Sequence, residues 1–215
     1  MTSWFLIVMV VVNNSKIMKK IMKNKKLLFI MILAWILVIP DTMTQSLTYT
    51  STGDSHITVI GTSSLHDWEL HSETLMSEAV FSTGNGETLE SLESVIFILE
   101  KTTLESERSR LQRMAHEEMD AENHPEITFR SNDNGTIQRN GDEYEVTATG
   151  DLTISGVTRR ISVEATCING ADEIVCAGTK DLQMTDFDID PPTLMFGTIR
   201  THDEVTVEFR MVYTQ

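Results

Sequence analysis

EYEVTATGDLTIS, Glu143 to Ser155, alternates apolar and polar residues. Tyr144, Val146, Ala148, Leu152 and Ile154 share one face, and Glu143, Glu145, Thr147, Thr149, Asp151 and Thr153 share the other. Successive side chains of a strand point to opposite faces, so the stretch reads as a strand with one face buried. A Ser155-Gly156 turn follows, and Val157, Ile161, Val163, Ala165 and Cys167 then alternate with Thr158, Arg160, Ser162, Glu164 and Thr166. Near the C-terminus Val205, Val207, Phe209, Met211 and Tyr213 repeat the pattern against Thr206, Glu208 and Arg210. Weaker runs of period two cover roughly 54–60, 64–72, 75–83, 92–101, 125–131 and 173–183, giving eight or nine strands. SVIFILE at 94–100 is apolar on both parities, so its outer face should be covered.

Short antiparallel strands with one apolar face hide it by closing into a barrel or stacking as a sandwich, and a barrel also removes exposed edges. One stretch departs from period two. Between Ser106 and Ala121, Leu111, Met114, Ala115 and Met119 form a helical stripe, and Asn123-His124-Pro125 should end that helix. No repeat or linker divides the strand-rich region, so residues 46–215 are expected to form one all-β domain.

Residues 1–45 read differently. The lysines of KIMKKIMKNKK (16–26) precede LLFIMILAWILVI, an apolar run too short for a comfortable membrane span, and Pro40 stops it. That order is a secretory signal, with cleavage near Thr44 or Gln45. The apolar WFLIVMVVV at 4–12 has no standard place in one, and leaves the start open between Met1, Met18 and Met22. Periplasmic or secreted location follows. Beyond position 45 the chain has 11 Lys and Arg against 31 Asp and Glu, a net of −20. Such a surface repels nucleic acid and anionic headgroups. Cys167 and Cys176 flank INGADEIV. If 169–174 turn back as a hairpin, the two face each other as a disulfide or as two small buried thiols.

Candidate chemistry is sparse. GTSSLHDWEL (61–70) brings together Ser63, His66 and Asp67, the residue types of a hydrolase triad. On a regular strand, however, His66, Trp68 and Leu70 face one way and Leu65, Asp67, Glu69 and His71 the other, so the three cannot cooperate. His66 and Trp68 become wall residues, with His66 a polar contact. His116-Glu117-Glu118-Met119-Asp120 lacks the second histidine of a zinc-binding H-E-x-x-H, and reads as a solvated helix face. His56 and His71 lie on strands without a partner histidine at ligand spacing. Neither a catalytic nor a metal site is assigned. The loop at 185–204 carries Phe187, Ile189, Leu194, Met195 and Phe196 without periodicity, as a plug or as a pocket mouth. Arg159 has inward parity and calls for a counter-charge, from a protein carboxylate or a ligand head.

Four segments in order resemble the YceI-like family: GTSSLHDWEL (61–70), AENHPEITFRS (121–131), GDLTISGVTRRISVEA (150–165) and KDLQMTDFDIDPPTLMFGTIRTHDEVTVEF (180–209). The resemblance covers essentially the whole chain beyond the signal. It implies an eight-stranded antiparallel, lipocalin-like barrel around an apolar tunnel, with a short helix at its end. It also implies a non-enzymatic binder or carrier of a polyisoprenoid or quinone-like lipid, the alternative being an envelope stress or interaction protein with a side-chain-filled barrel. No cofactor beyond such a lipid is expected, membrane contact is at most transient for ligand exchange, and a homodimer is left open. The candidate lining is His66, Trp68, Leu70, Phe81, Ile127, Phe129, Leu152, Ile154, Arg159 and Phe209, with Phe187, Met195 and Phe196 at an end. Where the family pattern commonly has glycine after Asp186-Phe187, this chain has Asp188, and Asp190 follows. Three carboxylates there disfavour a pyrophosphate head and favour a neutral one.

Overall fold

The computed structural model describes residues 44–215 apart from 85–87 and 132. Residues 1–43 of the expected signal segment therefore lie outside the described residues, while Thr44 and Gln45, at the expected cleavage point, pair with Gly84 and Thr83 at the start of the first strand. Twelve antiparallel strands make up one sheet system. Eight of them form a ring in the order β1 (Thr44–Ser51), β4 (Met76–Gly84), β5 (Thr88–Glu100), β6 (Glu126–Ser131), β8 (Glu143–Ile154), β9 (Val157–Asn169), β10 (Ile174–Gln183) and β12 (Ile199–Thr214). The ring closes where Thr50 and Ser51 of β1 meet Thr214 and Tyr213 of β12.

β12 is long enough to serve twice. Its last residues meet β1, while its first half pairs with β2 (His56–Ser63), which in turn carries β3 (Trp68–Ser72). Two short strands stand off the ring, β7 (Thr136–Asn140) on β8 and β11 (Thr193–Leu194) on β12. The alternation of β8, β9 and β12 places Val146, Leu152, Ile161, Val163, Val207 and Phe209 inward, as the parity requires. The outer Ile96 and Ile98 of β5 are half-buried, in register with Arg130 and Thr128 of β6.

Helix α1 (Ser109–Glu118) is shorter at both ends than the Ser106–Ala121 stretch that carries its apolar stripe. Asp120, at φ 50°, turns the chain out of the helix before Asn123-His124-Pro125 is reached. The helix lies over one end of the ring. Next to its N-terminal end, Nη1 of Arg108 is 2.9 Å from Nδ1 and 2.7 Å from Nε2 of His66, in the turn between β2 and β3. At its C-terminal end Lys101 Nζ donates to the Met119 carbonyl (2.5 Å), and Ser155 Oγ, in the β8–β9 turn, donates to the same oxygen (2.7 Å). Lys101 is fully buried, and burial lowers its pKa from the ordinary 10.5 against an opposing pull from Asp120.

Candidate ligand cavity

Inside the ring and beneath α1 lies a cavity of about 280 Å³. Its wall is almost wholly aliphatic and aromatic, drawn from the inward positions of the strands, from Leu111, Met114 and Ala115 of α1, and from Phe187 and Ile189 beyond β10. Of the residues expected to line it, Trp68, Leu70, Phe81, Ile127, Phe129, Leu152, Ile154, Phe187 and Phe209 do so. Trp68 depends on its neighbour. A Cβ at Gly61, its partner in register, would collide with the indole ring, so only glycine leaves room for tryptophan on this wall.

Four expectations are corrected. His66 is exposed and off the wall, because residues 64–67 are not strand. They form a turn organised by Ser63, whose hydroxyl accepts from the amides of Leu65 (3.3 Å) and His66 (3.2 Å) and donates to the His66 carbonyl (2.7 Å). The Ser63 hydroxyl is thus committed to backbone, so the triad fails through turn chemistry rather than strand parity. Arg159 has the expected parity and stands opposite the wall residue Leu152, yet its side chain is exposed and its guanidinium donates to the Thr158 carbonyl (3.2 Å). Met195 and Phe196, finally, point into solvent and neither plug nor line the cavity.

The histidines on β2 and β3 come together only in the fold. The Thr58–His71 register brings the rings of His56 and His71 to 5.6 Å, and Thr58 Oγ1 lies 3.0 Å from His71 Nδ1. His116 Nε2 is 2.9 Å from the Leu104 carbonyl oxygen, and among the described residues no group of His, Cys, Asp and Glu is arranged to hold a metal ion. Cys167 and Cys176 stand opposite each other in the β9–β10 register and are disulfide-bonded.

Polar atoms on the wall are few. Ser77 Oγ donates to the Ile96 carbonyl (2.9 Å) and lies 2.8 Å from the Tyr213 hydroxyl, so with the serine proton spent the phenol is the donor between them. Burial raises the Tyr213 pKa above 10.0. Lys180 is the basic side chain on the wall, brought inward by the parity of Ile174, Cys176 and Leu182. That parity was available in the sequence. Ser77 and Tyr213 could not be paired from it, because they are 136 residues apart and meet only when the ring closes.

An antiparallel ring around an apolar cavity, covered at one end by a short helix, defines a lipocalin-like barrel. The chain belongs to the YceI-like domain family, whose model matches residues 48–213. Among solved structures it is similar to BcnA of Burkholderia cenocepacia, with a TM-score of 0.59, 17% identity, and coverage of 75% of this chain and 98% of that one. It is also similar to a polyisoprenoid binding domain from Saccharophagus degradans implicated in plant cell wall breakdown. There the TM-score is 0.58, the identity 11%, and the coverage 79% of this chain and 99% of that one. At these identities the likeness is one of fold. No match was found among curated proteins.

Proposed function

We propose that the chain binds a long apolar molecule of isoprenoid or quinone type in the barrel cavity and carries or sequesters it in the cell envelope. The cavity carries this reading: about 280 Å³ of space remains inside the ring although large side chains surround it. That volume is near the lower bound, roughly 300 Å³, of small-molecule pockets. A tail held there gains about 25 cal/mol for each Å² of apolar surface removed from water, so binding needs little directed chemistry. The polyisoprenoid-binding neighbour of the same fold supports the choice of ligand class. The disulfide supports an oxidising compartment.

The polar atoms suit a neutral head. Tyr213 donates its hydrogen bond to Ser77 and retains acceptor capacity, while Lys180 offers donors to a carbonyl oxygen. Asp186, Asp188 and Asp190 are exposed beside the wall residues Phe187 and Ile189, where they oppose a pyrophosphate. The test is mass spectrometry of organic extracts of the purified protein, followed by refilling of the delipidated protein with a quinone or the matching prenyl pyrophosphate. A co-purified isoprenoid and preferential uptake of the quinone are expected. An empty extract with no uptake of either overturns the reading, and preference for the pyrophosphate overturns the neutral head.

A further inference from the structure

The segment from Pro192 to Thr201 joins the cavity wall to solvent. Its base is closed by the Thr201 amide donating to the Pro192 carbonyl (3.1 Å), and both residues line the cavity. Its arms are the pairs Thr193–Arg200 and Leu194–Ile199. Its tip is Met195-Phe196-Gly197, three successive residues in the left-handed region at φ 53°, 55° and 83°. For the two non-glycine residues this backbone costs about 1–2 kcal/mol each. The side chains so held are bare: Phe196 is fully exposed and Met195 is 68% exposed. Neither burial nor backbone propensity stabilises this turn.

The turn between β2 and β3 adds a third apolar side chain. The Ser64 amide donates to the Arg200 carbonyl (2.9 Å), and the Arg200 amide donates to Ser64 Oγ (3.1 Å). These bonds fix Leu65, 64% exposed, beside the hairpin. Cations gather at the same end of the ring. Arg200 Nε donates to the Gly197 carbonyl (3.1 Å), Arg108 lies against His66, and Arg110 and Arg113 are on the exposed side of α1. On an acidic chain, this end holds four of the 11 Lys and Arg beyond position 45. The carboxylates nearest them are Asp67 in the β2–β3 turn, Glu105 and Glu107 on the approach to α1, and Asp190 next to the base of the hairpin, all exposed.

We propose that Leu65, Met195 and Phe196 form a docking surface for the interface of a zwitterionic lipid bilayer, where the cavity exchanges its occupant. The proposal rests on the lipid-binding reading, because a molecule apolar enough to need the cavity resides otherwise in a membrane. Three apolar side chains at the ends of two turns match shallow insertion at the acyl boundary. The flanking arginines reach headgroup phosphates, whereas the net charge of −20 beyond position 45 opposes a strongly anionic surface. The base of the inserted hairpin is cavity wall, so docking places the bilayer against the exchange route.

The test uses the chain from Met43 onward, a compact unit whose core lies wholly within it, so that the apolar N-terminal segment does not itself anchor the protein. Flotation with phosphatidylcholine vesicles should recover it in the vesicle fraction. Met195→Ser with Phe196→Ser should lower the partition coefficient about tenfold or more at an unchanged thermal midpoint. In a separate Phe196→Trp variant the introduced indole should shift to the blue when vesicles are added. Flotation that is equal with and without the tip overturns the proposal, as does absence of flotation with an unshifted indole. Lipid in the organic extract without vesicle binding overturns docking alone. Tip-dependent vesicle binding with an empty extract supports docking and counts against lipid carriage.

Discussion

Asp188 shows how one residue departs from the pattern its neighbours follow. It closes the short 3-10 turn Met184–Phe187 at φ 56°, ψ 28°, and the turns beside it bury Phe187 and Ile189 against the cavity. Glycine takes this conformation without steric cost, whereas an L-residue does not, although aspartate tolerates it better than most. Asp188→Gly is therefore expected to stabilise the barrel by up to about 1 kcal/mol, because relieved strain exceeds the added unfolded-state entropy. Urea denaturation monitored by Trp68 fluorescence checks this, and a midpoint below that of the wild type would contradict it. The same residues show what was legible. The inward faces of β8, β9 and β12 could be read because a continuous strand preserves parity from end to end. His66 was misread because a serine-organised turn copies two steps of that parity, and Arg159 because parity sets the direction of Cβ but not where a long side chain places its charged head.

At the scale of the element, α1 is a cover held at two ends. Its apolar residues face the cavity, and its C-terminal end is fastened by Lys101 and Ser155, which donate to one carbonyl. Lys101→Met removes one of two donors and a buried charge. With Ser155 still bonded, a cost of about 1–2 kcal/mol is expected at pH 7. The pH dependence has a definite sign. Burial lowers the pKa of Lys101 in the fold, so the unfolded chain holds more protons below 10.5 and wild-type stability rises with pH toward that value. The variant lacks this gain, and its deficit should widen as the pH approaches 10.5. Thermal midpoints of both proteins from neutral to alkaline pH test this, together with amide exchange, which should accelerate over Ala115–Asn123. A deficit that shrinks with pH, or exchange unchanged over this segment, would count against the fastening role. The helix was visible as an apolar stripe, but its anchorage was not, because Lys101 and Ser155 belong to distant turns that meet only in the folded ring.

For the whole molecule the weak point is the seam. Around most of the ring, neighbouring strands pair over many residues, whereas β1 and β12 share only the pairs Thr50–Thr214 and Ser51–Tyr213. Two hydrogen bonds reinforce it from β4: the Ser77 amide donates to Ser51 Oγ (2.8 Å), and the Tyr213 hydroxyl reaches Ser77 Oγ (2.8 Å). Tyr213 thus ties the last strand to the second member of the ring across β1, and its ring is also cavity wall. Because burial favours the neutral phenol, its contribution is fully present below the unfolded pKa of 10.0 and is lost as the pH rises through the higher folded value. The seam should therefore loosen above pH 10, in opposition to the gain from Lys101. Tyr213→Phe keeps the ring and the packing but leaves Ser77 without its donor, at a cost of about 1 kcal/mol at neutral pH. The variant should also show a flatter alkaline decline, since no phenol remains at the seam to ionise. Thermal midpoints between pH 8 and pH 11 distinguish the two proteins. Parallel curves would mean that the ring is closed by its backbone pairs and core packing alone, with the hydroxyl irrelevant to closure.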